Sequence, residues 1–556
     1  MEEVRIPDEA AAAALPVTSL HGASGAFAWA PVALRRLVAY DCLPREALKN
    51  ALSNRTLTTS SAFSGIGSDV AADACIAAAA RDVLHELGHN QQPPLRFISL
   101  YNIEIVGTCR NEVLSGPDPP RCMFGDILEF APPKLRGLCM RAMADAKHQN
   151  GQDTIHMEQL REALPKAVPK LTGYCFVHDR VCRLRRAYRH VAGTPCVDHS
   201  RFGPRKRSSG PTEVLFLLWV CIRRALQDYI VIHENVPQFG KESLEEHLGD
   251  LYYIVRLGDI HPHLFGWPQR RDRQLCVLVL REWANSFLPA PDTGMLRDHF
   301  AFEQHFKLME LVAFMGFRLI IIRIIIIMVM IIIIIIVTIM IMIITIRHCD
   351  ITWRSFLVSP RSDLEKEWQW SASRPGVQKR RRETDNFNDD ENSFKYMLTT
   401  VERERLVTYS AKYPGCVFDL GQNPESHAMV SDKKRLHCLI KGTGLLFIAE
   451  KDRWMTPTEV LTAMGWPIVE GSRSAACNAV TIFAADRPAP PARSHSSMVS
   501  QAGNAIHIGV LGVVQLALLI KLPSLAGNTG ADTSAESASA FSMGFERMLR
   551  RKMSPL

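Results

Sequence analysis

Between Leu57 and about Leu280, short apolar runs alternate with longer amphipathic stretches, the pattern of an α/β domain. Thr58 to Phe63 predicts a strand, closed by a turn at Gly65 and Gly67, and an alanine-rich helix is expected from about Asp69 to Leu87. Further strands are expected at 96–104, 229–233 and 275–280, with a helix at 213–227. Arg180–His190 predicts a basic, helix-like run that either lies on a polyanion or, the favoured reading, is a solvated face. From 283 to 450 the alternation stops, and loops carrying Trp and Arg surround the basic run Lys379–Arg382 and the acidic stretch TDNFNDDEN. Regular patterning returns at 453–467 and 501–522. The chain therefore divides into a partly disordered leader over 1–55, an α/β domain over 56–282, an irregular region over 283–450, a return to the first domain over 451–525, and a flexible basic tail over 526–556.

One segment breaks every pattern. Within the isoleucine-rich tract 319–346, Ile324 to Ile346 has no charge and is almost wholly Ile, Met and Val. About 20 apolar residues span a bilayer, but flanking Trp or Tyr belts are missing, and Gly, Leu and Phe are not mixed in. The tract is taken as low complexity, and no membrane association is expected.

Composition adds limits rather than direction. In 556 residues, 47% hydrophobic and 22% charged content is ordinary for a globular protein, and a net charge of +8 is too mild to announce a polyanion partner. The acidic opening MEEVRIPDEAAAAALPV is unlike a secretory signal. The 14 cysteines show no disulfide framework, so a reducing compartment is expected. Cys175 and Cys182 flank His178 at spacings that match no recognised zinc set, and no metal is assigned.

The chemistry sits at strand ends. Phe63-Ser64-Gly65-Ile66-Gly67 is a glycine turn ahead of a helix, suited to close approach of a nucleotide-like cofactor. Glu104, ending the next strand, suits ribose hydroxyls, and Gly125-Asp126-Ile127 offers a further acidic turn for an adenine amino group. Pro195-Cys196 presents a thiol on a rigid loop, followed by four cations within seven residues, Arg201, Arg205, Lys206 and Arg207, which favour thiolate and suit phosphates. Glu234 closes the apolar strand Tyr229–Ile232-His233, where an unused carboxylate would be costly. Arg271 and Arg273 alternate at the start of another apolar strand, so they share a side.

In this order, six motifs resemble the cytosine-C5 DNA methyltransferase family: FSGIG, the PC loop, ENV, QRRDR, RWMTPTE leading to MGWP, and GNA at Gly503-Asn504-Ala505. The resemblance covers roughly 58–281 and 451–522. It implies a doubly wound, Rossmann-like methyltransferase fold that uses S-adenosylmethionine, with 283–450 as the target recognition domain. It implies Cys196 as nucleophile, Glu234 at cytosine N3 and its amine, Arg273 at O2, and Arg271 supporting the loop or a phosphate. Cofactor contacts would come from Phe63, Ser64, Gly65, Ile66, Gly67, Glu104, Asp126, Ile127, Pro195, Asn504 and Ala505. DNA would meet Ser200, Arg201, Arg205, Lys206 and Arg207, with a nuclear location. Arg354, Trp368, Trp370 and Lys433 are either DNA contacts or ordinary packing residues.

The chain departs from the family where Val197-Asp198-His199 replaces the residues that normally follow the nucleophile. An RNA methyltransferase, an inactive DNA-binding relic and a membrane protein remain as alternatives. Sequencing the transcript across 319–347 tests the last, and loss of the tract would end it.

Overall fold

The computed structural model describes residues 27–287, 352–377, 394–466 and 495–521, apart from short breaks at 40–44, 90–92 and 149–153 and single positions such as Lys433. The isoleucine-rich tract, the run Lys379–Arg382, the tail from 526 and most of the leader lie outside the described residues.

Strand β1 (Thr56–Ala62) runs parallel to β2 (Arg96–Ile103) on one side and to β6 (Arg189–Gly193) on the other. β2 continues in parallel to β3 (Cys122–Phe124), and β6 to β7 (Ile230–Asn235). Both outer edges turn antiparallel. The hairpin of β4 (Thr172–Cys175) and β5 (Arg180–Arg183) extends β3, while β9 (Arg273–Leu280) and β8 (Tyr252–Ile260) extend β7. The order is β5-β4-β3-β2-β1-β6-β7-β9-β8. Strand order reverses between β1 and β6, which opens a crevice at their carboxyl ends, where sheets of this kind bind ligands.

Strands buried on both faces are apolar throughout rather than alternating. β7 reads IVIHEN and is buried along its whole length. The helix Ser68–Glu86 packs with Trp29–Ala39 and Ile508–Lys521, and a separate helical layer gathers around Pro211–Leu226 with Arg136–His148 and Ile155–Ala163. The doubly wound α/β expectation holds. The window Met498–Ile520 is apolar and long enough to cross a membrane, but 83% of it is buried inside the protein. Gly512 is needed there, because a Cβ would lie 2.2 Å from the Trp29 ring.

A smaller unit carries its own core of Phe394, Leu398, Tyr409, Phe418, Leu420, Leu445, Phe447 and Trp454. Its sheet is antiparallel, β10 (Val417–Asp419), β11 (Leu446–Ile448) and β12 (Arg453–Trp454). Because β12 pairs here, the return to the larger unit begins with the helix Pro457–Ala463 rather than at 451. Trp368 packs on this small core, Trp370 stacks on His495 at 4.8 Å, and Arg354 pairs with Glu450. All three have packing roles.

The helix-like reading of Arg180–His190 is overturned. Arg180–Arg183 is an edge strand, and Arg189 is buried in β6, paired with Asp73. The strand is set by its antiparallel ladder to β4, Thr172–Arg183 through Cys175–Arg180, and as a sheet edge it leaves Arg180, Val181 and Arg183 exposed.

Beneath the crevice, Arg223 is fully buried, bonded to Asp228 and to the Tyr101 hydroxyl (2.9 Å), while Asp228 also accepts the Ala187 N–H (2.7 Å). Removing one partner leaves an uncompensated buried charge. Asp228→Ala is expected to lower stability to denaturant by about 3–5 kcal/mol. Asp250→Ala, at the more exposed Arg224 pair, should cost about 1 kcal/mol or less. Equal losses would mean that the buried pair carries no special weight.

Candidate active site

The parallel register of β6 and β7 sets Gly193 beside Glu234. A Cβ on Gly193 would lie 3.4 Å from Glu234 Oε2, so the carboxylate leans over that strand end. The residues flanking Glu234 hold the next loop. Thr194 Oγ1 bonds His233 Nε2 (2.7 Å), and Asn235 Nδ2 donates to Thr194 Oγ1 (2.9 Å) and to its carbonyl (3.2 Å). All three side chains are buried, so Pro195-Cys196 leaves a rigid base.

The loop then closes tightly on itself. The N–H groups of His199 and Ser200 both donate to the Cys196 carbonyl, at 3.0 and 2.8 Å. Asp198 is buried, and its Oδ2 accepts the N–H and hydroxyl of Thr212 (3.0 and 2.6 Å). The helix Pro211–Leu226 starts after Gly210, which has no side chain to cap it, and Asp198 satisfies an orphan donor of its first turn. A Cβ on Gly210 would strike Asp198 Cγ at 2.0 Å. His199 meets the Phe239 ring edge-on, with centroids 4.9 Å apart. The unusual Val197-Asp198-His199 is thus an anchored loop.

Two arginines complete this side. Arg273 Nε lies 2.8 Å from Glu234 Oε1. Arg271 donates to the carbonyls of Leu439 (3.0 Å), Gly503 (3.1 Å) and Ala505 (2.7 Å). Glu234, Arg271 and Arg273 line one narrow cleft with Ile506 and His507. Burial raises the Cys196 thiol above the ordinary thiol range; Arg273 opposes this, Glu234 adds to it, and Arg271 opposes it more weakly. The cations expected to favour the thiolate, 201–207, are not among these influences. Lys206 instead caps the helix Arg136–His148 through the carbonyls of Ala146 (2.6 Å) and Lys147 (3.1 Å), and the Arg205 guanidinium bonds the Arg201 carbonyl. Arg201, Arg205 and Arg207 are exposed beside the loop, near Ser200. Their reach to Cys196 fails because extended cations leave a tight loop for solvent.

Across the crevice lies the glycine turn. Phe63, Gly65 and Gly67 all have positive φ, 55°, 55° and 84°. Gly65 donates its N–H to Glu104 Oε2 and Val106 donates to Oε1, both at 2.8 Å. Burial nonetheless raises the Glu104 carboxyl above the ordinary range, opposed by these N–H groups. Asp126 Oδ1 accepts the Leu128 N–H (2.9 Å), which caps a short 3-10 turn over Ile127–Phe130. Ile127 and Ile66 are buried in the core, so packing accounts for them. A Cβ on Gly65 would approach the Asn504 carbonyl at 3.9 Å, which brings the C-terminal Asn504-Ala505 to the turn.

Asp198, His233 and Thr194 were missed in the sequence. Asp198 showed only as a polar residue on the loop after Pro195, and His233 and Thr194 only as polar residues at the ends of apolar strands. Cys175, His178 and Cys182, to which the sequence assigns no metal, are joined by Cys122 of β3 in one cluster of donor residues. Spacing could not reveal it, because the fourth donor comes from another strand.

The profile of C-5 cytosine-specific DNA methylases matches residues 190–514, more than half of the chain. The glycine turn and Glu104 precede that match. No curated protein matches the chain. Among solved structures, the S. pombe Dnmt2 methyltransferase aligns at 12% identity over 84% of this chain and 99% of its own, with a TM-score of 0.37. The Entamoeba histolytica methyltransferase EhMeth aligns at 11% identity over 84% of this chain and 100% of its own, with a TM-score of 0.36.

With its thiol raised, Cys196 should be alkylated by iodoacetamide at a rate that climbs with pH from 7 through 9.5, since the thiolate is the attacking form. Arg273→Ala should slow alkylation at each pH by removing the opposing positive charge. Peptide mass spectrometry reads both, and a rate indifferent to pH or to Arg273 would refute this electrostatic account.

Proposed function

The chain belongs to the C-5 cytosine-specific DNA methylase family, and from that premise we propose that it methylates carbon 5 of cytosine in DNA through a covalent bond to Cys196. The observation that carries the reading is the Glu234–Arg273 ion pair (2.8 Å) at the strand end beside Gly193, from which the loop bearing Cys196 leaves.

Cytosine C5 is a poor nucleophile, and adding a thiolate at C6 makes it enamine-like. Cys196 is the group for that addition. Glu234 supports it by holding a proton at N3, and Arg273 by holding O2. Once C5 carries the methyl group, loss of its proton to water and departure of the Cys196 thiolate restore the ring. The target base leaves the stack first, at a cost of a few kcal/mol. The exposed Arg201, Arg205 and Arg207, with Ser200, suit the phosphates of the flipped strand. Lys206 serves the same surface indirectly, by fixing it to a helix end.

The family uses S-adenosylmethionine, which when bound supplies an electrophilic methyl group. The residues present fit it. Ser64 and Ser68 have buried hydroxyls without a partner among the described residues, at the turn and at the start of the following helix. Helix starts with unsatisfied donors suit a carboxylate. Phe63, Gly65 and Gly67 form the cradle, Glu104 and Asp126 offer carboxylate oxygens, and Asn504 and Ala505 close it, with Pro195 facing from the nucleophile loop. DNA as substrate and a nuclear location belong to the same proposal, supported by the family's description and the exposed arginines.

The test is trapping. A 5-fluorocytosine duplex with cofactor should give a denaturant-stable complex with the protein, because fluorine cannot leave as the C5 proton does. Cys196→Ser should abolish it, and Arg273→Ala should slow it roughly 100-fold. The same oligonucleotide as RNA should trap poorly. No adduct while cofactor still binds would sink the active-enzyme reading, and preferential trapping of RNA would sink the DNA substrate.

A further inference from the structure

On the sheet edge remote from Cys196, four donor residues converge. Cys122 begins β3, Cys175 ends β4, Cys182 lies in β5, and His178 sits in the turn of the β4–β5 hairpin. Their ligand atoms all lie within 4.8 Å of one another. His178 Nδ1 is 3.4 Å from the Cys175 sulfur, 3.5 Å from that of Cys182 and 3.7 Å from that of Cys122.

Hydrogen bonding does not account for this geometry. An imidazole nitrogen has one hydrogen or one lone pair to offer, and three sulfurs surround it. A tetrahedral ion does account for it. With metal–sulfur bonds of about 2.3 Å and metal–nitrogen bonds of about 2.0 Å, neighbouring nitrogen and sulfur donors stand roughly 3.5 Å apart. We propose that Cys122, Cys175, His178 and Cys182 form a structural zinc site that staples the β4–β5 hairpin to β3.

The backbone brings the donors together: Cys175 and Cys182 stand on paired strands, and the Phe176 N–H to Met123 carbonyl bond (2.8 Å) keeps the hairpin beside β3. Asp179 takes positive φ (50°), which lets the hairpin return within a tight turn and bring Cys182 back. Three soft sulfurs and one imidazole select zinc over harder divalent ions. Four protein donors leave no open position, which makes the site structural rather than catalytic.

A staple is useful at this point of the fold. β3 and β4 share a single paired position, Phe124 with Cys175, supported by the Phe176 N–H to Met123 carbonyl bond (2.8 Å). Beyond that thin join lies the cofactor wall. Phe176, inside the knuckle, would lie 3.2 Å from a Cβ on Gly125, directly before Asp126. The Arg110 guanidinium stacks on Phe176 at 4.2 Å and bonds the carbonyls of Glu104 (3.0 Å) and Ile105 (2.7 Å). The ion would thus hold the scaffold behind Glu104 and Asp126 in place.

The purified full-length chain should contain about one zinc per molecule by mass spectrometric metal analysis. Cys196→Ser should keep it, whereas Cys182→Ser and His178→Ala should lose it. After removal of zinc, cobalt(II) should give near-ultraviolet thiolate charge-transfer bands and intense visible bands of a tetrahedral site. His178→Cys preserves four donors and should retain cobalt with shifted visible bands, which separates ligand loss from failure to fold. Metal removal should lower the melting temperature by several degrees, with recovery on adding zinc but not magnesium. Metal-free protein that shows no cobalt bands would overturn the proposal. So would bands unchanged in Cys182→Ser, or an intact mass two hydrogens short from a disulfide within the cluster.

Discussion

Arg271 is a buried cation whose guanidinium hydrogen bonds go to three backbone carbonyls, drawn from two remote parts of the chain. Leu439 belongs to the stretch leading into β11, whereas Gly503 and Ala505 lie where the helix His495–Asn504 ends, ahead of the helix Ile508–Lys521. A buried guanidinium is costly unless its donors are satisfied. The folded state is therefore tied to one arrangement, in which the smaller unit and the C-terminal segment close on the start of β9. That closure sets Asn504 against the glycine turn and Ile506 against Gly193, and so joins the thiol side of the crevice to the cofactor side. Arg273, two residues on and the first residue of β9, is then held opposite Glu234.

The nucleophile loop shows how a departure from family pattern is accommodated. Asp198 ties the loop to the start of Pro211–Leu226, and Thr194 ties its base to His233 and Asn235. Both anchors use buried polar groups, which are strong only when fully paired. The RWMTPTE motif is similar in kind. Thr456 and Glu459 form a capping box, and Arg453 grips Glu459 with two bonds of 2.8 Å. That motif joins β12 of the smaller unit to the helix Pro457–Ala463 of the larger one, so its role is to fix a junction.

The cysteine cluster belongs to the half of the sheet that carries Glu104 and Asp126. Parallel strands β1 to β3 are held by long ladders or broad packing, whereas the β4–β5 hairpin is attached at one position. An edge so weakly joined needs a local constraint, and donor atoms on either side of the join are where such a constraint has most effect. The two halves of the crevice are thus secured differently, one by the Arg271 bonds and the other through the hairpin and Arg110.

Residues with strong local signals were legible in the sequence. β7 and β9 announce themselves through apolar runs, β1 and β2 through threonine, isoleucine and aromatic residues that favour extended backbone, and Gly65 and Gly67 announce a turn because few other residues adopt positive φ. Cys196, Glu234, Arg271 and Arg273 stood out because polar residues at the ends of buried strands carry a cost. β3, β4 and β5 were hidden, since three or four residues are too few for a period to emerge. The role of Lys206 as a helix cap, the burial of Arg189 against Asp73 and the anchoring by Asp198 were hidden too. Each depends on a partner distant in sequence, and a charged side chain looks alike whether solvated or paired. The sequence by itself determined the α/β alternation, the strand-end chemistry and the order of motifs, because these follow from nearest-neighbour conformational preference and burial. Only the tertiary structure decided which charges face Cys196, what Asp198 holds, and that Cys122 meets Cys175, His178 and Cys182. Those contacts are made across strands, where spacing along the chain has no bearing on distance.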